Sequence, residues 1–170
     1  MTTAFTKAVT SALLEFAKNC KNILETDKEV NTWLGIPKGK QGKSTYYIPD
    51  VHYVTKKGVL IFQICDSQAN SPKQIAGDYF TALLSQEVKK IYFVSPDDKE
   101  LEVKNALFVY HSILKHKFKL KDHQLTPFEV ISVQKNKVSQ LNNKLIPIAK
   151  KDFWGYTVKN DKRKKTKSRK

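Results

Sequence analysis

The chain has 170 residues, 40% of them hydrophobic and 28% charged, which suits one globular domain with its own core. Its two cysteines, Cys20 and Cys65, exclude a disulfide framework, and there is no signal-peptide core and no apolar run of transmembrane length. The net charge of +15 favours a polyanionic partner. We therefore expect a soluble intracellular protein without a membrane span, cytoplasmic or, in a eukaryote, nuclear.

The N-terminal segment is predicted to be an amphipathic helix over Ala4–Leu24, because apolar residues recur there with a period near 3.6. Thr2 or Thr3 is the expected cap. A short strand is expected around Val30–Leu34. The PKGKQGK loop after it is a cationic segment suited to a phosphate backbone, or an ordinary exposed loop, and its lysines are Lys38, Lys40 and Lys43.

The stretch Tyr46–Asp66 predicts a hairpin of two apolar strands. A turn centred on Lys57-Gly58 would place Asp50 opposite Cys65, whereas a turn at Lys56-Lys57 would place Asp50 opposite Gln63. In both registers Asp50, Gln63 and Cys65 share one face of the sheet, because side chains alternate with period 2.

The remaining chain alternates helices and strands up to a basic tail. Ser71 is the expected cap of a helix that begins at Pro72 and runs to about Val88. The later elements are a strand over 91–95, a helix over 98–117, a strand over 128–133, a short helix over 138–149 and an aromatic anchor over 152–158. A helix between two strands favours a parallel, right-handed crossover.

Residues 159–170 carry eight basic residues and one acid, which is +7 of the total +15 and leaves +8 elsewhere. This tail is expected to be disordered when free and to serve as a nuclear-localisation or nucleic-acid arm, in which the candidate contacts are Lys162, Arg163, Lys164 and Lys165. Lys56 and Lys57 in the hairpin turn are further candidates. No arginine precedes Arg163, and lysine reads base edges less well than arginine does.

The predicted order is an α/β sandwich with a mixed sheet flanked by helices. The residues Pro49-Asp50 are followed twelve residues later by Phe62-Gln63-Ile64-Cys65. Together with the predicted order of elements, this pattern resembles the PD-(D/E)xK, or restriction-endonuclease-like, nuclease superfamily. The resemblance implies an αβββαβ core over about 4–96 and a C-terminal helix and strand extension over about 97–158, within a single domain spanning 1–158.

The resemblance also implies a site. In the family an aspartate and a second acid bind a divalent cation, and a lysine positions the attacking water. Asp50 matches the first metal ligand, Gln63 stands where the acid belongs, and Cys65 stands where the lysine belongs. Cleavage, if retained, would be Mg²⁺-dependent phosphodiester hydrolysis, with Asp50 and Gln63 as metal ligands. Thiolates, however, prefer softer metals than Mg²⁺.

Three interpretations of this site stay open. In the first, the site is degenerate and the protein binds DNA or RNA without cutting it. In the second, Asp50 only caps or turns a strand in an unrelated α/β domain. In the third, the acid and the cation have migrated, and the candidates are Asp66, Glu15 or Glu25 for the acid and Lys73 for the cation.

Two other polar features bear on this choice. Gln74 and Asp78 lie one helical turn apart, either facing the site or on a solvated face, and His52 shares the strand face of Asp50. The rival class of function is a non-catalytic adaptor or assembly protein whose lysines confer solubility, and a homodimer is compatible with either class.

Overall fold

The computed structural model describes residues 3–28, 50–66, 71–84 and 88–157. They form an α/β fold in which helices cover both faces of one five-stranded mixed sheet. In chain order the elements are α1 (Ala4–Ala17), β1 (Ile23–Lys28), β2 (Val51–Thr55), β3 (Gly58–Ile64), α2 (Pro72–Leu84), β4 (Val88–Pro96), α3 (Glu100–His116), β5 (Phe128–Val133) and α4 (Leu141–Lys151).

The strands lie in the sheet in the order in which they occur in the chain, β1-β2-β3-β4-β5. The first three form an antiparallel meander, while β4 runs parallel to β3 and β5 runs parallel to β4. The general α/β class and the mixed sheet predicted from the sequence are therefore confirmed. The parallel β3–β4 pair across α2 was also expected, since a parallel connection needs a crossover helix.

The sheet separates two hydrophobic layers. One layer contains Cys20 and the apolar residues of α1, α4 and one sheet face, such as Tyr53 and Phe62. The other layer contains Cys65 and the apolar residues of α2, α3 and the opposite sheet face, such as Ile61. The alternation of side chains along β3 sends neighbouring residues into different layers.

The hairpin takes the register in which Lys56 and Lys57 form a two-residue turn. Thr55 pairs with Gly58 and Val51 pairs with Phe62, so that Asp50 comes opposite Gln63. The alternative turn at Lys57-Gly58 is excluded. The Thr55 hydroxyl donates to the Gly58 carbonyl at 2.8 Å, which helps to close the turn. The shared face of Asp50, Gln63 and Cys65 follows from this register.

The N-terminal helix is shorter than its apolar period predicts. It begins after Thr3, whose hydroxyl accepts from the Thr6 N–H at 3.2 Å, and it ends at Ala17. Leu24, predicted to be helical, lies in β1. The chain turns here because the Asn22 N–H donates to the Trp154 carbonyl, a contact with the C-terminal segment. The strand predicted at 30–34 lies outside the described residues.

Residues after α4 anchor the chain, as the aromatic sequence predicts. Trp154 is fully buried and packs its indole edge-on against three aromatic residues of the sheet, Tyr53, Phe62 and Tyr92. Elsewhere α2 stops at Leu84, short of the predicted Val88, which begins β4 instead. In the described part of the chain, every helix is too short or too polar to cross a bilayer.

Candidate functional site

Four polar side chains come together at one end of the sheet, between β3 and α2. We call Asp50, Gln63, Cys65 and Asp78 the carboxylate cluster. The first three come from the start of β2 and the end of β3, on the α2-facing side of the sheet. Asp78 comes from α2, which packs over that face. The sequence alone predicts only that Asp78 lies one helical turn from Gln74. It does not predict the approach of Asp78 to the sheet, because that depends on how α2 packs.

Hydrogen bonds tie Asp50 to the neighbouring strand. Its backbone N–H donates to Gln63 Oε1 at 3.0 Å, and its carboxylate Oδ2 accepts from the Ile64 N–H at 2.7 Å. The carboxylate thus takes the place of a backbone acceptor just beyond the β2–β3 ladder. This arrangement is the strand-capping role that the sequence left open for Asp50.

The pKa of the Asp78 carboxyl group is raised. Burial raises its pKa, a hydrogen bond from Gln63 lowers it, and the charge of Asp50 raises it, and the combined effect brings the pKa to about 6. Gln63 therefore bridges the two acids, accepting from the backbone of Asp50 and donating to the side chain of Asp78. The cluster carries part of a proton near neutral pH.

Cys65 is buried beside these acids. Burial raises the pKa of its thiol far above the usual range, and the charges of Asp78 and Asp50 raise it further. The thiol therefore stays protonated and cannot supply the positive charge of the lysine that the nuclease resemblance expects at this position. Lys73, the other candidate cation, lies exposed in the first turn of α2. Within the part of the chain that the structure describes, no lysine contributes to the pKa of Asp78.

The two oxygens named as metal ligands already take part in hydrogen bonds within the sheet. Magnesium prefers oxygen ligands, but Gln63 Oε1 and Asp50 Oδ2 each already accept a backbone N–H. Among the described residues, no group of three or more His, Cys, Asp or Glu is placed to hold a metal ion. The assignment of Asp50 and Gln63 as metal ligands stays a prediction, and we derive no chemistry through a metal.

The other candidate acids lie away from the cluster. Asp66 accepts hydrogen bonds from Thr3 and Thr6 at the start of α1. Glu15 lies on α1, which covers the opposite face of the sheet, and pairs with Lys18 at 2.7 Å. Glu25 is exposed in β1. His52 is only 2% exposed, which suits a structural histidine better than one that reaches a phosphate.

The opposite end of the sheet is basic. A cavity of about 530 Å³ opens beside the hairpin turn and the end of α4, and we call it the lysine pocket. Four exposed lysines and an exposed aromatic residue line it, namely Lys56, Lys57, Lys89, Lys151 and Phe153. None of these four lysines forms an ion pair with a carboxylate of the described residues, so their charges face the cavity uncompensated.

A fifth lysine of the pocket is neutralised. Lys90 is largely buried and pairs with Asp152 at 2.8 Å and with Glu129 at 2.7 Å. Tyr92 donates to the same Asp152 carboxylate. This network fixes the end of α4 against β4 and β5, and so holds the wall of the pocket that carries Phe153.

The placements of the other predicted nucleic-acid contacts differ. Lys56 and Lys57 form the hairpin turn and line the lysine pocket. Lys38, Lys40 and Lys43, together with Lys162, Arg163, Lys164 and Lys165, lie outside the described residues. No local pattern predicts Lys89, Lys151 and Phe153 as partners of the turn, because they come from β4 and from the end of α4.

No protein-family model matches the chain, and neither a curated protein nor a solved structure does.

Proposed function

We propose that this protein binds nucleic acid through phosphate contacts and does not cleave it. The proposal includes a restriction-endonuclease-like core. The αβββαβ order of elements and the parallel β3–β4 pair support this fold. The observation that carries the proposal is that the carboxylate cluster lies at one end of the sheet, while four lysines without a carboxylate partner among the described residues line a cavity at the other.

This separation bears directly on cleavage. Asp50 and Thr55 lie five residues apart along β2, which corresponds to about 16 Å of extended strand. A phosphate held by the lysines beside Thr55 is therefore not the one that a water molecule positioned at Asp50 would attack. The cluster itself offers a protonated thiol where the family uses a lysine.

Binding and cleavage can be tested on the same samples. We expect the full chain to bind oligonucleotides with an affinity that falls steeply between about 50 and 200 mM salt, and to leave plasmid and single-stranded substrates intact in Mg²⁺ or Mn²⁺. Asp50→Asn is the matched control, because an amide oxygen can still accept from the Ile64 N–H. Metal-dependent cleavage that Asp50→Asn abolishes would overturn the non-cleaving proposal, and salt-insensitive or absent binding would overturn the nucleic-acid proposal.

A second candidate function, protein assembly, is favoured by one face of α3. Leu101, Phe108 and Val109 are exposed apolar residues of this helix, and Phe108 is 70% exposed. Contiguous exposed apolar residues mark interaction sites in soluble proteins. If α3 mediates a homodimer, the mass measured by light scattering will rise with concentration in the wild type and stay monomeric in Phe108→Ser.

A further inference from the structure

We propose that the lysine pocket holds one unpaired nucleotide of a single strand, with its base stacked on Phe153 and its phosphates on the surrounding lysines. This inference rests on the proposed nucleic-acid binding and adds a location and a strandedness to it. Known nucleotide and ligand sites occupy about 300–1,000 Å³, and the pocket, at about 530 Å³, falls in that range.

The backbone of Phe153 is held in a conformation that disfavours a bulky residue. Its φ angle is +59°, in the left-handed region, at the position just after α4 where the Trp154 N–H donates back to the Ala149 carbonyl. Glycine is the usual residue at such a helix end, because other side chains are strained there. An exposed phenylalanine at this position therefore lowers stability locally, which suggests that its ring is kept for contact with a ligand.

Neighbouring residues fix the backbone that carries the ring. Asn22 Nδ2 donates to the Phe153 carbonyl at 2.7 Å, and the Asn22 N–H donates to the Trp154 carbonyl at 3.1 Å. Gly155, at φ +71°, lies so close to Asn22 that a Cβ atom would approach within 2.9 Å of its side chain. The aromatic platform is thus built by backbone contacts and does not depend on side-chain packing of the ring, which is 68% exposed.

Charge and chemistry favour an unpaired nucleotide over a duplex. Lysine ammonium groups bind phosphate as point charges without reading base edges, and an exposed aromatic ring offers a stacking surface to any base. The bases of a duplex are already stacked on one another and do not present a free face. Lys57 Nζ lies 4.6 Å from the centre of the Phe153 ring, so cation and aromatic surface are adjacent.

The tail lies in sequence next to this site. The described chain reaches Thr157, whose N–H donates to the Asn19 carbonyl close to Asn22 of the pocket. The +7 segment 159–170 begins two residues later.

The decisive experiment compares Phe153→Gly with wild type in the full chain. We expect Phe153→Gly to raise the midpoint of denaturant unfolding, since glycine relieves the left-handed strain, and to weaken binding of a fluorescent oligothymidylate about tenfold or more, since a stacking surface is lost. Phe153→Tyr should keep the affinity, because it keeps the aromatic face. Phe118→Gly, which removes another exposed phenylalanine, is the matched control and should leave the affinity unchanged.

The outcomes separate this inference from the proposed function. Equal binding by wild type and Phe153→Gly would overturn the pocket assignment and leave nucleic-acid binding in place. Equal affinity for the oligonucleotide and for its duplex would overturn the single-strand assignment. A third outcome is that the protein shows no salt-sensitive binding to any nucleic acid but binds anionic phospholipid vesicles, and that Phe153→Gly abolishes the vesicle binding. This outcome would overturn both the pocket assignment and the nucleic-acid proposal in favour of a lipid headgroup.

Discussion

The two ends of the sheet are built from the same strands but carry opposite chemistry. At the carboxylate cluster, an amide bridges two acids beside a buried thiol, and the pKa of Asp78 rises because the group is buried. At the lysine pocket, four lysines have no carboxylate partner among the described residues, and an aromatic ring is exposed. Groups that satisfy each other serve the fold, whereas uncompensated groups are available to a ligand.

The largest expected effect comes from Trp154, which packs against residues of both the sheet and α1. Trp154→Ala should lower the free energy of unfolding by about 3–5 kcal/mol, because a fully buried indole is replaced by a cavity. Chemical denaturation monitored by circular dichroism measures the change, with Trp154→Phe as a milder control. A loss below about 1 kcal/mol would show that the C-terminal segment is not part of the core.

The next effect tests the basic end. Replacing Lys56, Lys57, Lys89 and Lys151 together with alanine should reduce the slope of log affinity against log salt by about 1.4, because each of the two phosphates that flank one bound nucleotide contributes about 0.7. Fluorescence anisotropy across a salt series measures the slope. The matched control removes four exposed lysines elsewhere on the surface, namely Lys7, Lys117, Lys121 and Lys137. Equal slopes for the two variants would mean that only total charge matters.

The third effect tests the acidic end. Since burial raises the pKa of Asp78 to about 6, the folded protein binds this proton more tightly than the unfolded chain does. Stability should therefore fall as the pH rises from about 4 to about 6, and Asp78→Asn should remove this loss and be more stable at pH 7 by on the order of 2 kcal/mol. Denaturant titrations of both proteins at several pH values measure the difference. Parallel pH profiles would contradict the assignment.

The smallest effect concerns Lys57 over the ring of Phe153. Lys57→Ala should change the free energy of unfolding by less than about 1 kcal/mol, because cation–π contacts at exposed sites are weak. Its effect on oligonucleotide affinity should be larger than its effect on stability. A stability loss that exceeds the affinity loss would mean that Lys57 serves the hairpin and not the ligand.

The sequence predicts the elements whose signals are local. The strand Phe128–Val133 has the predicted bounds, and α2 begins at Pro72 behind Ser71, because alternation, proline geometry and capping depend on near neighbours. The shared face of Asp50, Gln63 and Cys65 also follows from alternation alone.

Features set by distant contacts could not be predicted in this way. The helical period continues through Cys20 and Leu24, but α1 ends earlier because the Cys20–Asn22 segment binds backbone around Trp154. Asp78 joins the cluster only through the packing of α2 on the sheet. The lysine pocket combines a turn, a strand and a helix end that are remote in sequence, and no residue pattern indicates the left-handed backbone of Phe153.

Each of the two hydrophobic layers contains one buried thiol whose reactivity can report on the opening of that layer. Cys20 and Cys65 are both unpaired and lie on opposite sides of the sheet. A thiol reagent reaches a buried cysteine only when the structure around it opens. Alkylation rates of Cys20→Ala and Cys65→Ala, each with one thiol left, would therefore time the opening of each layer separately. They would show whether the helices on the two faces detach together or one face at a time.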